Sequence, residues 1–181
     1  MLSAAIIGSR EPSYAQRKVA ELYTSTLIQL GFKIRTGGAV GIDEIAMRVT
    51  SQMGGELEVV LPWASYNSDL ITKYKPQSML VFDPKIHQLW EQTVHEFHPN
   101  PKALAPAAIK LHARNFPIVG LSDITVALPG ATGGGTMQGI RIARGYKLPL
   151  ITFQHVLPLS AIELNVPSFV TMVRYVMGNA A

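Results

Sequence analysis

Apolar positions along this chain follow two alternating rhythms. Short apolar-rich segments at 4–8, 32–36, 57–61, 124–128 and 148–153 read as strands, most of them closed by glycine or proline. Between them, apolar residues recur at helical spacing, with Val19, Leu22, Tyr23, Leu27 and Leu30 across 14–30, then Ile45, Ala46 and Val49 across 42–53. Gly31 stands where a helix commonly stops. Further helices are predicted over 103–115, 136–145 and 167–177. Strands and helices alternating through short connections predict an α/β fold: one Rossmann-like domain spanning 1–181, its parallel sheet flanked by helices with right-handed crossovers. The rhythm weakens over 62–100, where Pro62, Pro76, Pro84 and Pro99 intervene. An irregular insertion along one rim of the sheet is expected there, with a helix within 84–97 through Ile86, Leu89, Trp90 and Val94, and a role as a pocket lid.

Ligands of parallel sheets bind beyond the carboxyl ends of the strands, and two glycine-rich turns fall at such ends. The first is Thr36-Gly37-Gly38-Ala39-Val40-Gly41-Ile42-Asp43, and the second is Pro129-Gly130-Ala131-Thr132-Gly133-Gly134-Gly135-Thr136. Residues without a Cβ let main-chain N–H groups approach a phosphate, and a helix starting just after them adds its positive dipole end. Gly37, Gly38, Ala39 and Gly41 on one turn, and Gly133, Gly134, Gly135 and Thr136 on the other, are therefore candidate ligand contacts. Gly8, Ser9 and Arg10 follow the first strand, where an N–H, a hydroxyl and a guanidinium can converge on the same anion. Asp43 can cap the helix it opens, accept from a ribose hydroxyl or polarise a water, and it is the one candidate for a catalytic group. Arg114 can reach the anion or pair with Asp123. No segment matches the dinucleotide fingerprint or a Walker loop, so nicotinamide and ATPase assignments have no support.

Composition narrows the picture further. With 181 residues, 48% of them apolar and 15% charged, the chain suits a single domain whose sheet is covered on both faces. A formal charge of +4 permits an anionic partner, but the basic residues are scattered and do not compel nucleic acid. The absence of cysteine excludes disulfides, thiol catalysis and thiolate-bound zinc. His87, His95, His98, His112 and His155 show no ligand grouping beyond the His95/His98 spacing, so neither a metal nor a cofactor is expected. The first residues read as a strand and no apolar stretch approaches the ~18 residues of a membrane span, so a cytoplasmic protein without membrane contact is expected. Trp63, Tyr66, Tyr74 and Trp90 in the 62–100 stretch suggest an exposed aromatic patch and hence a homo-oligomer.

Gly8-Ser9-Arg10-Glu11-Pro12, then 36–43 with Ala46, then Gly134-Gly135-Thr136 with Ile140, Arg141, Ala143 and Pro149, resemble the SLOG superfamily. That Rossmann-like group unites DNA-processing protein A (Smf) with the Lonely Guy phosphoribohydrolases. The similarity runs from Ala4 to about Phe153. In the phosphoribohydrolases a Pro-Gly-Gly-x-Gly-Thr-x-x-Glu motif and an upstream arginine serve hydrolysis of an N-glycosidic bond. Arg114 matches that arginine, whereas Gly139 stands where the glutamate belongs. The resemblance also implies sensing of nucleotide-derived signals, ADP-ribose relatives among them, and it extends to small stand-alone members in phage genomes.

The favoured expectation is a non-catalytic binder or sensor of a nucleotide-derived, phosphorylated small molecule held on both glycine turns. One alternative is an N-glycoside hydrolase in which Asp43 or Glu44 replaces the missing acid. The other is single-stranded DNA binding, with Arg10, Lys33, Arg35 and Arg48 on phosphates.

Overall fold

The computed structural model describes residues 1–131, 134–153 and 166–178. Six parallel strands form one sheet: β1 (Ser3–Gly8), β2 (Lys33–Thr36), β3 (Leu57–Leu61), β4 (Ser78–Val81), β5 (Ile124–Leu128) and β6 (Leu150–Thr152). Their spatial order is β4-β3-β2-β1-β5-β6, so the direction of winding reverses between β1 and β5. The predicted Rossmann-like α/β architecture is what the chain adopts.

Side-chain alternation in the strands divides the core into two layers. Ala4 and Ile6 of β1, with Leu57, Val59, Leu61, Val126 and Leu128, meet α1 (Tyr14–Gln29), α2 (Ile42–Gln52) and α8 (Val166–Gly178) on one face. Ala5, Ile7, Val60 and Ala127 point the other way, toward α4 (Gln88–Phe97), α5 (Pro106–Ala113), α6 (Asn115–Gly120) and α7 (Gly135–Gly145). Coverage on both sides explains why the central strands β1 and β5 bury residues on both faces. α1 begins with a capping box, in which Ser13 Oγ accepts from Gln16 N and Gln16 Oε1 accepts from Ser13 N.

The stretch 62–100 is more regular than expected, and the helix expected within 84–97 is present as α4. It holds α3 (Ser68–Tyr74), the edge strand β4 and α4, in register with the rest of the sheet. Its aromatic residues, from which self-association is expected, turn inward: Tyr74 and Trp90 are buried, and Trp63 packs edge-on against a half-buried Tyr66. Within the helix expected over 103–115 lies α5, and a separate helix, α6, follows it past Arg114. Pro117 forces the break, since it lacks an N–H and its ring would strike the carbonyl four residues earlier if α5 continued.

α8 docks through Phe169, fully buried and stacked on Tyr23 of α1 with ring centroids 3.9 Å apart. Phe169→Ala should cost about 3 kcal/mol, the low end for deleting a buried phenylalanine ring. A lowered denaturant midpoint with an unchanged slope would confirm it; an unchanged midpoint would show that α8 adds nothing to the core.

Candidate functional site

Three loops meet at the carboxyl ends of β1, β2 and β5. Ser9 N donates to Leu128 O at 3.0 Å, tying the β1 loop to β5, and Ile42 N donates to Ser9 O at 3.1 Å, tying the start of α2 beneath it. Gly41, at φ 87°, lies so close that a Cβ there would stand 2.3 Å from Ser9 O. Gly130 is confined on the other side, where a Cβ would stand 2.7 Å from Ser9 Oγ. Gln16 Nε2 donates to Pro129 O at 2.9 Å, so α1 also anchors the β5 loop.

Beside this junction, at the switch point between β1 and β5, opens a cavity of about 620 Å³. Ligand sites of open parallel sheets occur at such points, and the volume is in the usual range for small-molecule pockets. Gly8, Ser9, Arg10 and Glu11 line one wall, Gly130, Gly134, Gly135 and Thr136 a second, and Ala108, Leu111, His112, Arg114 and Asn115 a third. Ala39 and Asp43 reach it from the first glycine turn. Gly133 lies outside the described residues.

The structure therefore divides the predicted residues. The second glycine turn and the β1 loop face the cavity, whereas Gly37, Gly38 and Gly41 do not line it. Gly37 is enclosed by Asp43, Arg114 and Ile118, and Gly38 packs against Val59 and Leu61 while its carbonyl accepts from Asn67 Nδ2 at 2.8 Å. Those glycines serve close packing of the loop rather than exposure of N–H groups. α7 has no side chain capping its N-terminus at Gly134, which leaves its first N–H groups and its dipole available at the cavity wall.

Arg114 and Asp43 form the buried floor, 5% and 7% exposed. Arg114 Nη1 donates to Gly37 O, its guanidinium lies over the Tyr66 ring at 4.8 Å, and its Nε has no partner among the described residues. Asp123, the other partner considered for Arg114, instead accepts from Ser3 N at the far end of the sheet. Asp43 Oδ2 accepts from Ala39 N at 3.2 Å and so staples the turn that precedes its helix. Burial pushes the Asp43 carboxyl above its ordinary range, with the Arg114 charge and the Ala39 N–H opposing. The same burial lowers the Arg114 pKa, with Asp43 opposing.

Sequence reasoning missed a polar network behind the third wall. Gln138 of α7, fully buried, takes hydrogen bonds on Oε1 from Asn115 Nδ2 at 2.7 Å and meets His112 Nδ1 at 2.6 Å. A polar residue at a buried helical position was its only sequence signal. Gly139, one residue on, is buried against β1, where a Cβ would stand 2.6 Å from Ile7 Cδ1. Glu44 bonds Tyr74 Oη at 3.2 Å and does not line the cavity. Among the described residues no group of three or more metal-ligating side chains occurs, and no helix is long and apolar enough to cross a membrane.

The family model of DNA recombination-mediator protein A matches residues 1–161. Among solved structures, DNA processing protein A from Helicobacter pylori, described for its unique single-stranded DNA binding mode, aligns with a TM-score of 0.67 and 21% identity, covering 95% of this chain and 80% of that one. The molybdenum cofactor carrier protein from Chlamydomonas reinhardtii aligns at 0.65 and 18%, covering 98% and 99%. The structural-genomics target TM1055 aligns at 0.63 and 16%, covering 97% and 99%. No curated protein matches the sequence. The family match, over most of the chain, bears out the resemblance to the DNA-processing protein A group, while the solved structures, at such identities, speak for the fold alone.

Removing the buried cation should expose the electrostatics of the floor. Arg114→Met leaves Asp43 without its compensating charge and raises the carboxyl pKa further above its unfolded value. Stability of such a group is fully present below the unfolded pKa and is lost as pH rises through the folded one. The deficit of the variant against wild type should thus be small near pH 4 and approach ~3–5 kcal/mol at neutral pH, the usual cost of breaking a buried pair. Urea midpoints measured across that range test it; a pH-independent deficit would mean that the two charges are not coupled.

Proposed function

We propose that this chain, which belongs to the DNA recombination-mediator protein A family, binds a phosphorylated, nucleotide-type small molecule in the cavity between β1 and β5 and acts as a sensor or sequestering protein. The observation that carries this reading is the concentration of positive potential on one small-molecule-sized cavity: the uncapped start of α7, the exposed Arg10 and the buried Arg114. A phosphate on the α7 N–H groups would take up donors that the helix leaves unsatisfied. The apolar side chains of Ala108, Leu111 and Ile118 offer a surface for the remainder of the ligand.

Binding without hydrolysis is the better-supported form. Glycosidic cleavage needs a carboxyl within hydrogen-bond reach of the leaving group or the attacking water. Asp43 and Glu11 are the cavity's two carboxylates, and Asp43 is buried with Oδ2 committed to Ala39 N. Gly139 faces the core rather than the cavity, so Gly139→Glu should place a carboxyl among apolar side chains. We expect it to lower the melting temperature and to yield no release of free base from nucleoside monophosphates in a chromatographic assay. A gain of turnover would revive the hydrolase.

Single-stranded DNA binding is the second reading, favoured by the family match and by the Helicobacter pylori structure. Three of its proposed phosphate contacts are already engaged: Lys33 and Arg35 with Glu58, and Arg48 with Glu21. Arg10 joins no ion pair among the described residues and has no structural duty to lose. Arg10→Ala should leave the melting temperature unchanged and weaken binding of a ribonucleoside 5′-monophosphate by about 1.5–3 kcal/mol, as for a hydrogen bond to a charged group. Calorimetry checks this. A polythymidine ligand that binds more tightly than any mononucleotide, with affinity falling steeply as salt rises, would favour the DNA reading instead.

A further inference from the structure

His112 ends α5 on the cavity wall, and its neighbours fix which ring nitrogen carries the proton. The carbonyl oxygen of Gly135 can only accept. Asn115 Nδ2 donates to it at 3.2 Å, which turns the amino end of that amide toward α7. The same nitrogen donates to Gln138 Oε1 at 2.7 Å, so Gln138 presents its oxygen in this direction; reversing it would set two amino groups against each other. His112 Nδ1 lies 2.6 Å from that oxygen and therefore donates. In the neutral ring, Nε2 is then an acceptor, with no hydrogen-bond partner among the described residues.

Two further observations support this state. Gln138 Nε2 is buried without a partner, a cost accepted while the oxygen serves two donors. Burial, the largest cause, lowers the His112 pKa, and His98 on the α4 side with Arg114 and Arg10 around the cavity add to it, against the Gln138 hydrogen bond. The ring is thus held neutral beside a wall of donors. Arg10, Arg114 and the α7 N–H groups would all bind a phosphate, but none of them can tell one sugar from another. A lone-pair acceptor can, because it requires a hydroxyl or N–H on the ligand and disfavours an anion.

Resting on the nucleotide-type ligand proposed above, we infer that His112 Nε2 accepts a hydrogen bond from a sugar hydroxyl and makes the site selective for ribose-bearing over deoxyribose-bearing phosphates. The phosphate sits on α7 and Arg10, away from the lone pair. Gln138 and Asn115 are positioning residues that lock the tautomer.

Long-range ¹H–¹⁵N correlation spectra of the protein alone should show His112 protonated on Nδ1 and bare on Nε2. Calorimetry with the four ribonucleoside 5′-monophosphates and their 2′-deoxy and 3′-deoxy counterparts should show the best ribonucleotide binding about tenfold more tightly than one of its deoxy forms, the weight of one hydrogen bond. His112→Phe should abolish that ratio while retaining phosphate-dependent binding. A proton on Nε2, a wild-type ratio below about threefold, or a ratio that survives His112→Phe would overturn the inference and leave phosphate binding standing. Failure of every nucleotide to bind wild type would remove the binding reading and this inference with it. The two wild-type measurements decide the matter even if the variant does not fold.

Discussion

The ligand end of this sheet depends on one steric constraint, the close approach of three loops around Ser9. A Cβ on Gly8 would stand 2.4 Å from the Ile42 side chain, one on Gly41 2.3 Å from Ser9 O, and one on Gly130 2.7 Å from Ser9 Oγ. Side chains at these positions would drive the β1 loop, the start of α2 and the β5 loop apart. With them absent, backbone hydrogen bonds close the junction, and the wall of the cavity is built before any ligand arrives. Pre-formed geometry of this kind lowers the ordering cost of binding.

Arg114 imposes the second constraint. It sits where α5 gives way to α6, and its guanidinium bonds Gly37 O, covers Tyr66 and faces Asp43. One side chain thereby joins the first glycine turn, the stretch after β3 and the third wall. A buried guanidinium is costly unless its charge and donors are met, and its unpartnered Nε is the donor still unmet. The same residue supports the loops and lines the cavity, so a substitution there would alter both.

The sequence made most of the fold legible because central strands buried on both faces are dense in apolar and β-branched residues, as in Ile124-Thr125-Val126-Ala127-Leu128. β4 escaped because it is a four-residue edge strand with Met79 and Val81 exposed and Pro76 and Pro84 nearby, which resembles a loop. The break between α5 and α6 was written in Pro117 and passed over. Around the cavity, glycine occurs for two different reasons. Around Gly134 and Gly135 it leaves a helix start open, whereas at Gly37 and Gly38 it makes room for Asp43, Arg114, Val59 and Leu61. Local pattern cannot separate those uses, since the partner atoms come from elements far along the chain. The network of His112, Asn115 and Gln138 was illegible for the same reason.

Charge illustrates how folding redistributes what composition suggests. The +4 balance invites a reading as a nucleic-acid surface, but several of the basic groups are spent internally. Arg35, 6% exposed, bonds Glu58 and Ser122, while Lys33 meets the other oxygen of Glu58 at 3.0 Å, neutralising a site within the sheet. Arg48 and Lys18 share Glu21 on the surface of α1 and α2. A backbone-tracking groove for a polynucleotide needs a line of free cations, each meeting its own phosphate. At the cavity, among the described residues, Arg10 is exposed and in no ion pair, next to a helix start, while the buried Arg114 is met by Asp43 and Gly37 O. That arrangement concentrates potential at a point rather than along a path, and a point is what a single phosphorylated small molecule presents.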